Sequence, residues 1–435
     1  MARTAGVVRA DGAAAADAPA ALALAQLAPA GWCTASLFDD TVAEVTWPDG
    51  QPADRQLADF FRRHPMLGKR DRRLLADRVF DVLRNATLYR AWLDAAGTNA
   101  QAGDAEAAAA LIGVATRRAG DAGFAAELAA FAATRPPPIR YSLPPWLWQR
   151  LAAQQPERAA AIAAALLEPA PLDLRCNLLR GSREALQRLL AERGIDARPV
   201  AAVATALRVT GRPALEALDL FEQGWFEIQD AGSQLIAAAT GARRGELIVD
   251  FCAGAGGKAL ALAARMRDRG QVLAFDTDAL RLDRLAPRAQ RAGASIIRAQ
   301  RIDGSDDPRL ARYAGRADCV LVDAPCSGSG TVRRNPDLKW RLDPGRLARH
   351  AGNQQAILAA AARLVRPGGR LVYATCSLLD DENDACVAAF GAGPAAGFTL
   401  EASRRWLPDR DGSDAFYVAT WQYRPAGATS GNIGG

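Results

Sequence analysis

The sequence has few histidines and lysines, and it contains no long apolar segment without charge. Two of its 435 residues are histidine, His64 and His350, and three of its 54 basic residues are lysine. We interpret His350 as a surface residue of a helix, so cysteine-protease or acyl-transfer chemistry with a histidine base is disfavoured. No run reaches the roughly 18 apolar residues that indicate a transmembrane helix, and we expect no membrane association.

Patterns for metal binding and for disulfide bonds are also missing. The seven cysteines are an odd number, and the sequence shows neither a CxxC pair nor a cysteine–histidine spacing typical of zinc sites. The first residues lack the compact apolar core of a signal peptide. We therefore expect reduced thiols, no bound metal and a cytoplasmic location.

The composition and length indicate several domains. Half of the residues are hydrophobic, which is enough for large cores, and the chain is longer than one ordinary domain. Prolines 136 to 138 interrupt a helical pattern and mark a linker. We expect disordered residues 1–20, a helical domain at 21–135, a small α+β module at 144–235, an α/β domain at 236–425 and a disordered tail at 426–435.

The α/β segment alternates short apolar strands with turns and helices. Strands are predicted at 246–251, 271–276, 295–299, 319–323, 370–375 and 416–423. This alternation is typical of a mainly parallel sheet with helices on both faces. Ligands of such sheets bind at the C-terminal ends of the strands, so the residues that follow each strand are the candidates for function.

A basic segment lies in the N-terminal half. From Phe60 to Arg90 nine Lys or Arg residues stand against three Asp residues. A basic helical face suits a polyanion such as RNA, although a solvated helix face explains the same charges. The arginines that we expect to contact phosphates are Arg62, Arg63, Arg70, Arg72, Arg73 and Arg78.

A glycine-rich turn follows the first strand of the α/β segment, from Asp250 to Lys258. Such a turn brings backbone N–H groups and a helix N-terminus close to a ligand. The P-loop spacing fails because Ala259 follows Lys258, so a nucleoside cofactor is indicated and a triphosphate is not. A plain tight turn between strand and helix is the alternative.

Two aspartates follow the next two predicted strands. Asp276 ends the second strand, about 20 residues after the turn, where a carboxylate can accept both ribose hydroxyls of an adenosine cofactor. Asp303 lies just past the third strand, in position to bond an adenine amino group. Each alone could be a loop residue or a helix cap, but together with the turn they indicate a cofactor site.

Two cysteines follow two further strands. Cys326 comes after strand 319–323 and Asp323, and Cys376 comes after strand 370–375. If the strands are neighbours, both thiols and the carboxylate face one cleft, and a thiol needs a nearby positive charge or helix N-terminus to ionise. The other cysteines are interpreted as small core residues, except Cys252 in the glycine turn; they are Cys33, Cys176, Cys319 and Cys386.

These motifs, in this order, resemble the RNA (cytosine-5)-methyltransferases that use S-adenosylmethionine, and within them the type B group that acts on small-subunit ribosomal RNA. The resemblance covers roughly residues 144–423, and the first 140 residues match the helical RNA-binding domain of that group only loosely. It departs in the turn, where the family has Ala-Pro before Gly-Gly-Lys and this chain has Gly254-Ala255. The motifs that carry it are residues 224–230, 250–258, 323–330, 335–340 and 375–377, with Asp276, Arg281, Leu282 and Asp303.

The resemblance implies a class I methyltransferase domain, with a Rossmann-like, mainly parallel sheet of seven strands. It implies that Cys376 is the nucleophile, that Cys326 assists product release, and that Asp323 stabilises the adduct. The implied S-adenosylmethionine contacts are Cys252, Ala253, Gly254, Ala255, Gly256, Gly257, Lys258, Asp276, Asp303 and Asp323. The implied RNA contacts, for which a solvated loop is the alternative, are Arg333, Arg334, Lys339 and Arg341.

Several alternatives stay open. The same chemistry on transfer RNA or another RNA fits the motifs, and so does an assembly factor that binds RNA without turnover. In a DNA cytosine methyltransferase Cys326 would be the nucleophile, against which the Thr375-Cys376-Ser377 motif weighs. We expect a monomer whose partner is RNA, with ribosomal RNA favoured.

Overall fold

A computed structural model describes residues 14–28, 52–97 and 104–425 of the chain. The helices in these residues are α1 (Ala14–Leu27), α2 (Ala53–Arg63), α3 (Lys69–Ala95), α4 (Asp104–Gly120), α5 (Ala122–Ala133), α6 (Pro137–Arg140), α7 (Pro145–Gln154), α8 (Ala159–Leu167), α9 (Arg183–Ala191), α10 (Asp219–Glu222), α11 (Ala231–Ala239), α12 (Gly257–Arg265), α13 (Ala279–Leu282), α14 (Leu285–Ala292), α15 (Leu338–Arg341), α16 (Pro344–Ala362), α17 (Asp384–Ala392) and α18 (Pro408–Asp411). The strands are β1 (Leu172–Cys176), β2 (Ala197–Pro199), β3 (Ala206–Val209), β4 (Phe226–Ile228), β5 (Leu247–Asp250), β6 (Gln271–Asp276), β7 (Ile297–Arg301), β8 (Ala317–Asp323), β9 (Val365–Thr375), β10 (Phe398–Trp406) and β11 (Phe416–Tyr423).

The chain divides into two compact units. One contains residues 1–169 and 331–344, and the other contains residues 170–330 and 345–435. The first unit is helical where it is described, and its apolar side chains form a core from α1 to α5. The segment that carries α15 belongs to this unit because Trp340 donates from Nε1 to the carbonyl of Leu83 at 2.8 Å. No helix in the described part of the chain is long and apolar enough to cross a membrane.

The second unit contains two sheets. The smaller sheet has the strand order β2-β3-β1-β4 and is antiparallel throughout. Its apolar face packs on α9, with Leu174, Leu186 and Phe226 fully buried between them. Asn177, just after β1, donates from Nδ2 to the carbonyl of Ala292 at 2.8 Å. The small sheet is therefore joined to the larger fold through backbone groups as well as side chains.

The larger sheet confirms the expected class of fold. Its seven strands have the order β10-β11-β9-β8-β5-β6-β7. Strands β9, β8, β5, β6 and β7 are parallel to one another. Strand β11 is antiparallel to β9, and the edge strand β10 is antiparallel to β11. The central strands are apolar and buried because helices cover both faces, as in other doubly wound sheets. This is the architecture of a class I methyltransferase.

The structure refines the expected segments. The two compact units are divided at residue 169, which lies inside the segment that we expected to form the α+β module, and the expected start of that module at residue 144 stays a prediction. Residues 14–20, which we expected to be disordered, begin helix α1. The rest of that expectation, residues 1–13, the expected tail at 426–435 and Cys33 lie outside the described residues.

Gly224 lies in the connection between α10 and β4, close to the backbone of α14. Its φ is +73°, and a Cβ placed there would lie 2.0 Å from the carbonyl oxygen of Arg291. Gly211 has the same φ of +73° and nothing within 4 Å of its Cβ position. The two glycines thus share a left-handed backbone and differ in available space.

This difference predicts the cost of adding one methyl group. Gly211→Ala should lower the free energy of unfolding by about 1 kcal/mol through the left-handed conformation alone. Gly224→Ala should lower it by about 1–3 kcal/mol more, because the backbone of Arg291 must move. Urea unfolding of both variants measures this, and equal losses would mean that the close approach is not present in solution.

Candidate active site

The site lies where the parallel strands of the large sheet end. Asp250, Asp276 and Asp323 are the last residues of β5, β6 and β8, and Thr375 is the last residue of β9. The register places Asp250 beside Leu321, two residues before the end of β8. Because these strands point in the same direction, their terminal carboxylates and the loops that follow meet at one edge of the sheet.

The glycine turn between β5 and α12 needs its glycines. Gly254 and Gly256 have φ values of +54° and +82°. A Cβ on Gly256 would lie 2.0 Å from the side chain of Leu285, and one on Gly254 would lie 2.5 Å from the guanidinium of Arg281. The backbone of the turn therefore lies against the side chains of Arg281 and Leu285, and the N-terminus of α12 lies at the carboxyl edge of the sheet.

Asp276 holds this turn. Its Oδ2 accepts the N–H of Gly254 at 2.7 Å, and its Oδ1 accepts the N–H of Asp278 at 2.9 Å. Asp303 is placed differently, because its side chain is 69% exposed and forms an ion pair with Arg309 at 2.7 Å. Both stay candidates for cofactor contact, but Asp276 has a structural role that the sequence pattern did not reveal.

Asp250 is a buried carboxylate that the sequence analysis did not single out. Neither of its oxygens accepts a hydrogen bond of good geometry among the described residues, although the backbone N–H of Ala259 lies near enough to lower its pKa slightly. Burial, helped by the charge of Asp323, raises the pKa of Asp250 to about 7, and Lys258 opposes the shift. Asp250, which precedes the glycine turn, is therefore present in both its neutral and its charged form near neutral pH.

Lys258 and Asp323 form an ion pair in the same cleft. The Nζ of Lys258 donates to Oδ2 of Asp323 at 2.5 Å. Burial alone would lower the pKa of Lys258, but the charges of Asp323, Asp250 and Cys376 outweigh it and raise that pKa. The lysine of the turn is therefore a fixed positive charge within electrostatic reach of Cys376.

The two predicted thiols lie together. The Sγ atoms of Cys326 and Cys376 are 3.3 Å apart, and both residues are partly exposed. The loops are joined by backbone bonds, since Ala324 donates to the carbonyl of Ala374 at 2.9 Å and Gly330 donates to that of Cys376 at 2.9 Å. The hydrogen bond between the thiols, together with burial, raises the pKa of Cys326 well above its ordinary value.

Residues of the small sheet and of α14 also shape the glycine turn. Arg175 donates to the carbonyl of Gly257 at 2.6 Å, and Arg288 donates to that of Ala255 at 2.6 Å. Glu227 of β4 holds Arg288 at 2.7 Å and Arg291 at 2.5 Å. The sequence offered only residues 224–230 as a motif, with no sign that Glu227 is linked to the turn through arginines.

The remaining predictions have mixed outcomes. Cys176, Cys319 and Cys386 are buried, which confirms that they are core residues.

Lys339 is 1% exposed and donates from Nζ to the carbonyl of Arg84 at 2.7 Å within the helical unit. Burial lowers the pKa of Lys339 well below its ordinary value. This contradicts a contact of Lys339 with a phosphate, because the ammonium is turned into the protein.

The arginines predicted beside Lys339 are also largely enclosed. Arg333 is 9% exposed and donates to the carbonyl of Pro169 at 3.4 Å. Arg341 pairs with Asp337 at 3.4 Å. Arg334 is partly exposed. The segment holds these side chains for packing in the helical unit, and their contact with RNA stays a prediction.

The donor set suits a nucleoside that carries positive charge. The buried Asp250 lacks partners, Asp276 and Asp323 end neighbouring strands, and the turn gives a helix N-terminus with one lysine already paired. Lys258 is paired with Asp323, and Arg175 and Arg288 are bound to carbonyl groups of the turn, so the carboxylates at the strand ends disfavour a triphosphate and favour a cationic ligand. Among the described residues no group of His, Cys, Asp and Glu side chains is arranged to hold a metal ion.

The parallel sheet, the glycine turn and the strand-end carboxylates define a class I methyltransferase. The family described as 16S rRNA methyltransferase RsmB/F matches residues 239–422, and the RsmF/B-like ferredoxin-like domain matches residues 143–216. The chain is 34% identical over 302 residues to the ribosomal RNA small subunit methyltransferase B of Citrobacter koseri, covering 68% of this chain and 69% of that protein. The chain belongs to the RsmB/F family.

A second relative agrees with this assignment, and a solved structure shares the fold. A probable ribosomal RNA small subunit methyltransferase B of Synechocystis is 38% identical over 253 residues, which cover 58% of this chain and 56% of that protein. The aligned part therefore spans little more than half of that relative. The crystal structure of PH0851 superposes with a TM-score of 0.73 at 22% identity, covering 96% of this chain and all of that one, and shows likeness of fold.

The buried Asp250 predicts a characteristic pH dependence of stability. Its pKa is about 7 in the folded state and about 3.9 in an unfolded chain, so the folded protein binds the extra proton between these values. Stability therefore falls as the pH rises through this window, at about 1.4 kcal/mol per pH unit for one proton. Asp250→Asn should remove that fall and be more stable than the wild type at pH 8, with the difference shrinking towards pH 4.

Asp307→Asn is a control of opposite sign. Hydrogen bonds from Arg309 lower the pKa of Asp307, so this carboxylate contributes stability above its unfolded pKa and loses it as the pH falls. The variant should be less stable than the wild type at neutral pH and approach it in acid. Urea unfolding across the pH range measures both, and a pH-independent difference for Asp250→Asn would contradict the raised pKa.

Proposed function

We propose that the chain methylates C5 of a cytosine in RNA, with small-subunit ribosomal RNA as the favoured substrate, through a covalent bond between Cys376 and C6. The observation that carries this proposal is the pair of sulfur atoms 3.3 Å apart, next to Asp323, at the ends of neighbouring parallel strands. Methylation of an exocyclic amine needs no thiol, whereas C5 is a poor nucleophile until a nucleophile adds to C6. Membership of the family supports the choice of substrate.

The methyl donor is S-adenosylmethionine, which supplies an electrophilic methyl group on a sulfonium. The glycine turn from Cys252 to Lys258 and the N-terminus of α12 receive it, and Asp276 takes the ribose hydroxyls. Asp303 lies at the end of the site where the adenine is expected. Asp250, neutral or charged near pH 7, is well suited to gain its charge when a cation binds above it.

Cys376 acts first. As a thiolate it adds to C6 of the cytosine, and the electrons of the C5–C6 double bond shift so that C5 becomes nucleophilic. The raised pKa of Lys258 keeps its positive charge in place, within electrostatic reach of Cys376. C5 then takes the methyl group, and the bond between this group and the sulfonium sulfur breaks with its electron pair staying on sulfur, so that a neutral thioether leaves.

Asp323 and Cys326 act on the adduct. Lys258 contacts Oδ2 of Asp323 and orients the carboxylate, whose other oxygen can accept a hydrogen bond from the N3/N4 edge of the base. A base from solvent removes the C5 proton, and the electron pair of that C–H bond restores the C5–C6 double bond. The bond between C6 and Cys376 then breaks with its electron pair returning to sulfur. Cys326, held as a neutral thiol, assists this release.

The substrate base must leave its stack to reach both thiols, so an unpaired or flipped cytosine is required. The basic residues of α2 and α3 are the proposed phosphate contacts of the helical unit. Exposed arginines there include Arg62 and Arg73, whose side chains are 77% and 64% exposed. Such contacts position RNA without reading its sequence.

A direct test is nucleoside analysis of small-subunit ribosomal RNA after incubation with the protein and S-adenosylmethionine. The proposal expects 5-methylcytidine, and bisulfite mapping of cellular RNA with and without the gene locates it. Methylation of transfer RNA instead would change the substrate and keep the chemistry. Cofactor binding without transfer to any RNA would support the assembly factor.

The cofactor site is tested at Asp276. Asp276→Ala should reduce binding of S-adenosylmethionine beyond calorimetric detection, because it removes the ribose contact and the bond that holds Gly254, together worth about 3 kcal/mol or more. Asp278→Ala is the matched control, since its carboxylate caps α13 by accepting the N–H of Arg281 at 3.1 Å. Unchanged affinity in Asp276→Ala, or equal losses in both variants, would place the cofactor elsewhere.

Replacing each of the two cysteines should block the reaction at a different step. Cys376→Ala should abolish both turnover and any covalent RNA adduct, because nothing adds to C6. Cys326→Ala should still add and transfer the methyl group but stall before release, so a denaturation-resistant protein–RNA complex should accumulate with cofactor. Electrophoresis under denaturing conditions distinguishes them. The reverse pattern would make Cys326 the nucleophile, as in DNA methyltransferases, and no adduct in either variant or in the wild type would contradict the covalent mechanism.

A further inference from the structure

A carboxylate with no exposed surface lies behind the thiol pair. Glu382 follows β9 in a short 3-10 turn and is 0% exposed. Its Oε1 accepts the N–H of Ser327 at 2.7 Å and the Nε2 of Gln354 at 3.0 Å, and its Oε2 accepts the hydroxyl of Ser327 at 2.5 Å. These partners are an amide, a carboxamide and a hydroxyl, so neutral donors satisfy a carboxylate that is removed from water.

The contacts of Glu382 enclose the backbone of Cys326 from both sides. Gln354 of α16 donates from the same Nε2 to the carbonyl of Pro325 at 3.0 Å. Pro325 precedes Cys326, and Ser327, bound to Glu382, follows it. The two peptide groups that flank the thiol-bearing residue are therefore fixed by one connected pair of side chains.

The orientation of Gln354 is determined by its surroundings. Its Nε2 has two acceptors, the carbonyl of Pro325 and Glu382, and its Oε1 lies 3.1 Å from the hydroxyl of Tyr373. That hydroxyl also lies 2.6 Å from the carbonyl of Glu382. A flipped amide would place its oxygen against two other acceptors, so the network has one satisfied arrangement.

The same network reaches the loop of the second thiol. The hydroxyl of Ser327 lies 3.1 Å from that of Ser329, which in turn lies 3.1 Å from that of Ser377. Ser329 also accepts the N–H of Leu378 at 2.9 Å. Ser377 directly follows Cys376, so each thiol-bearing residue is followed by a serine that belongs to this buried cluster.

We propose that Glu382 is a positioning residue, which fixes Cys326 opposite Cys376 through Ser327 and Gln354. Its effect on turnover rests on the proposed function, whereas the placement of the thiol does not. Glu382 contacts neither substrate nor cofactor in this scheme and acts through the loop that carries Cys326.

The charge of Glu382 adds an electrostatic consequence. The pKa of Cys326 is raised by its hydrogen bond with Cys376, by burial, by the charge of Cys376 and then by that of Glu382. A neutral Cys326 beside a reactive Cys376 keeps the two thiols in different roles. Other titratable groups within electrostatic reach of Glu382 include Tyr373, Cys386 and His350.

The test is the alkylation of each thiol in Glu382→Gln. Iodoacetamide is applied to the full chain over a range of pH, and peptide mass spectrometry gives the rate at Cys326 and Cys376 separately. Loss of one buried charge should lower the pH midpoint of Cys326 and raise its rate about tenfold at a fixed pH below the midpoint. Cys376 is the internal reference, and its rate should change much less.

Asp381→Asn is the matched control, because it removes the same charge from the same turn, one residue earlier. It should leave the pH profile of Cys326 at the wild-type position. The proposal is overturned if Glu382→Gln and Asp381→Asn give the same profile for Cys326. A merely structural role for Glu382 would lower the stability of the fold without this selective shift.

A second variant keeps the proposal testable if Glu382→Gln does not fold. Gln354→Met keeps the buried charge but frees the carbonyl of Pro325. Cys326 should then react faster at every pH because its loop is less restrained, while Cys376 reacts as before. Unchanged alkylation rates at Cys326 would contradict the proposal that Glu382 and Gln354 restrain its loop.

The adduct assay separates this proposal from the proposed function. Glu382→Gln should form the covalent RNA complex and release it slowly, as expected for Cys326→Ala. If the wild type never forms an adduct under trapping conditions, the proposed function fails, and the alkylation profiles still decide the role of Glu382. If adducts form and the profiles do not shift, the positioning role alone fails.

Discussion

The parallel alignment of β8 and β9 is the constraint on which the site depends. Hydrogen bonds between these strands set Asp323 beside Ala374, so the loops that follow leave the sheet at the same level. Two thiols that are 50 residues apart in the chain thereby come within 3.3 Å of each other. A shift of one residue in this register would turn Asp323 to the opposite face of the sheet and separate the pair.

Around this alignment the protein uses buried polar groups to fix loops. Asp276 accepts a backbone N–H of the glycine turn, while Arg175 and Arg288 donate to its carbonyl groups. Glu382 plays the corresponding part for the thiol loop. Loops are ordinarily the most variable part of such folds, and here each functional loop is tied by charged or amide side chains that belong to other elements.

The sequence predicted the parts of the site that adjoin strand ends. An apolar run predicts a buried strand, and the residue after it must lie at the carboxyl edge of a parallel sheet, so Asp276, Asp323, Cys326 and Cys376 could be assigned from the chain alone. Strand β10 was missed, because it lies at the edge of the sheet and most of its side chains are exposed. An exposed strand has no apolar pattern to detect.

Tertiary structure decided which polar residues support the site. Lys339 reads as a basic surface residue in sequence, yet packing in the helical unit buries it against the carbonyl of Arg84. Nothing local distinguishes Glu382 from the acidic residues before it, and only the fold brings α16 and the Cys326 loop to its carboxylate. Local patterns report how a segment folds, whereas the partner of a buried charge is set by contacts between residues far apart in the chain.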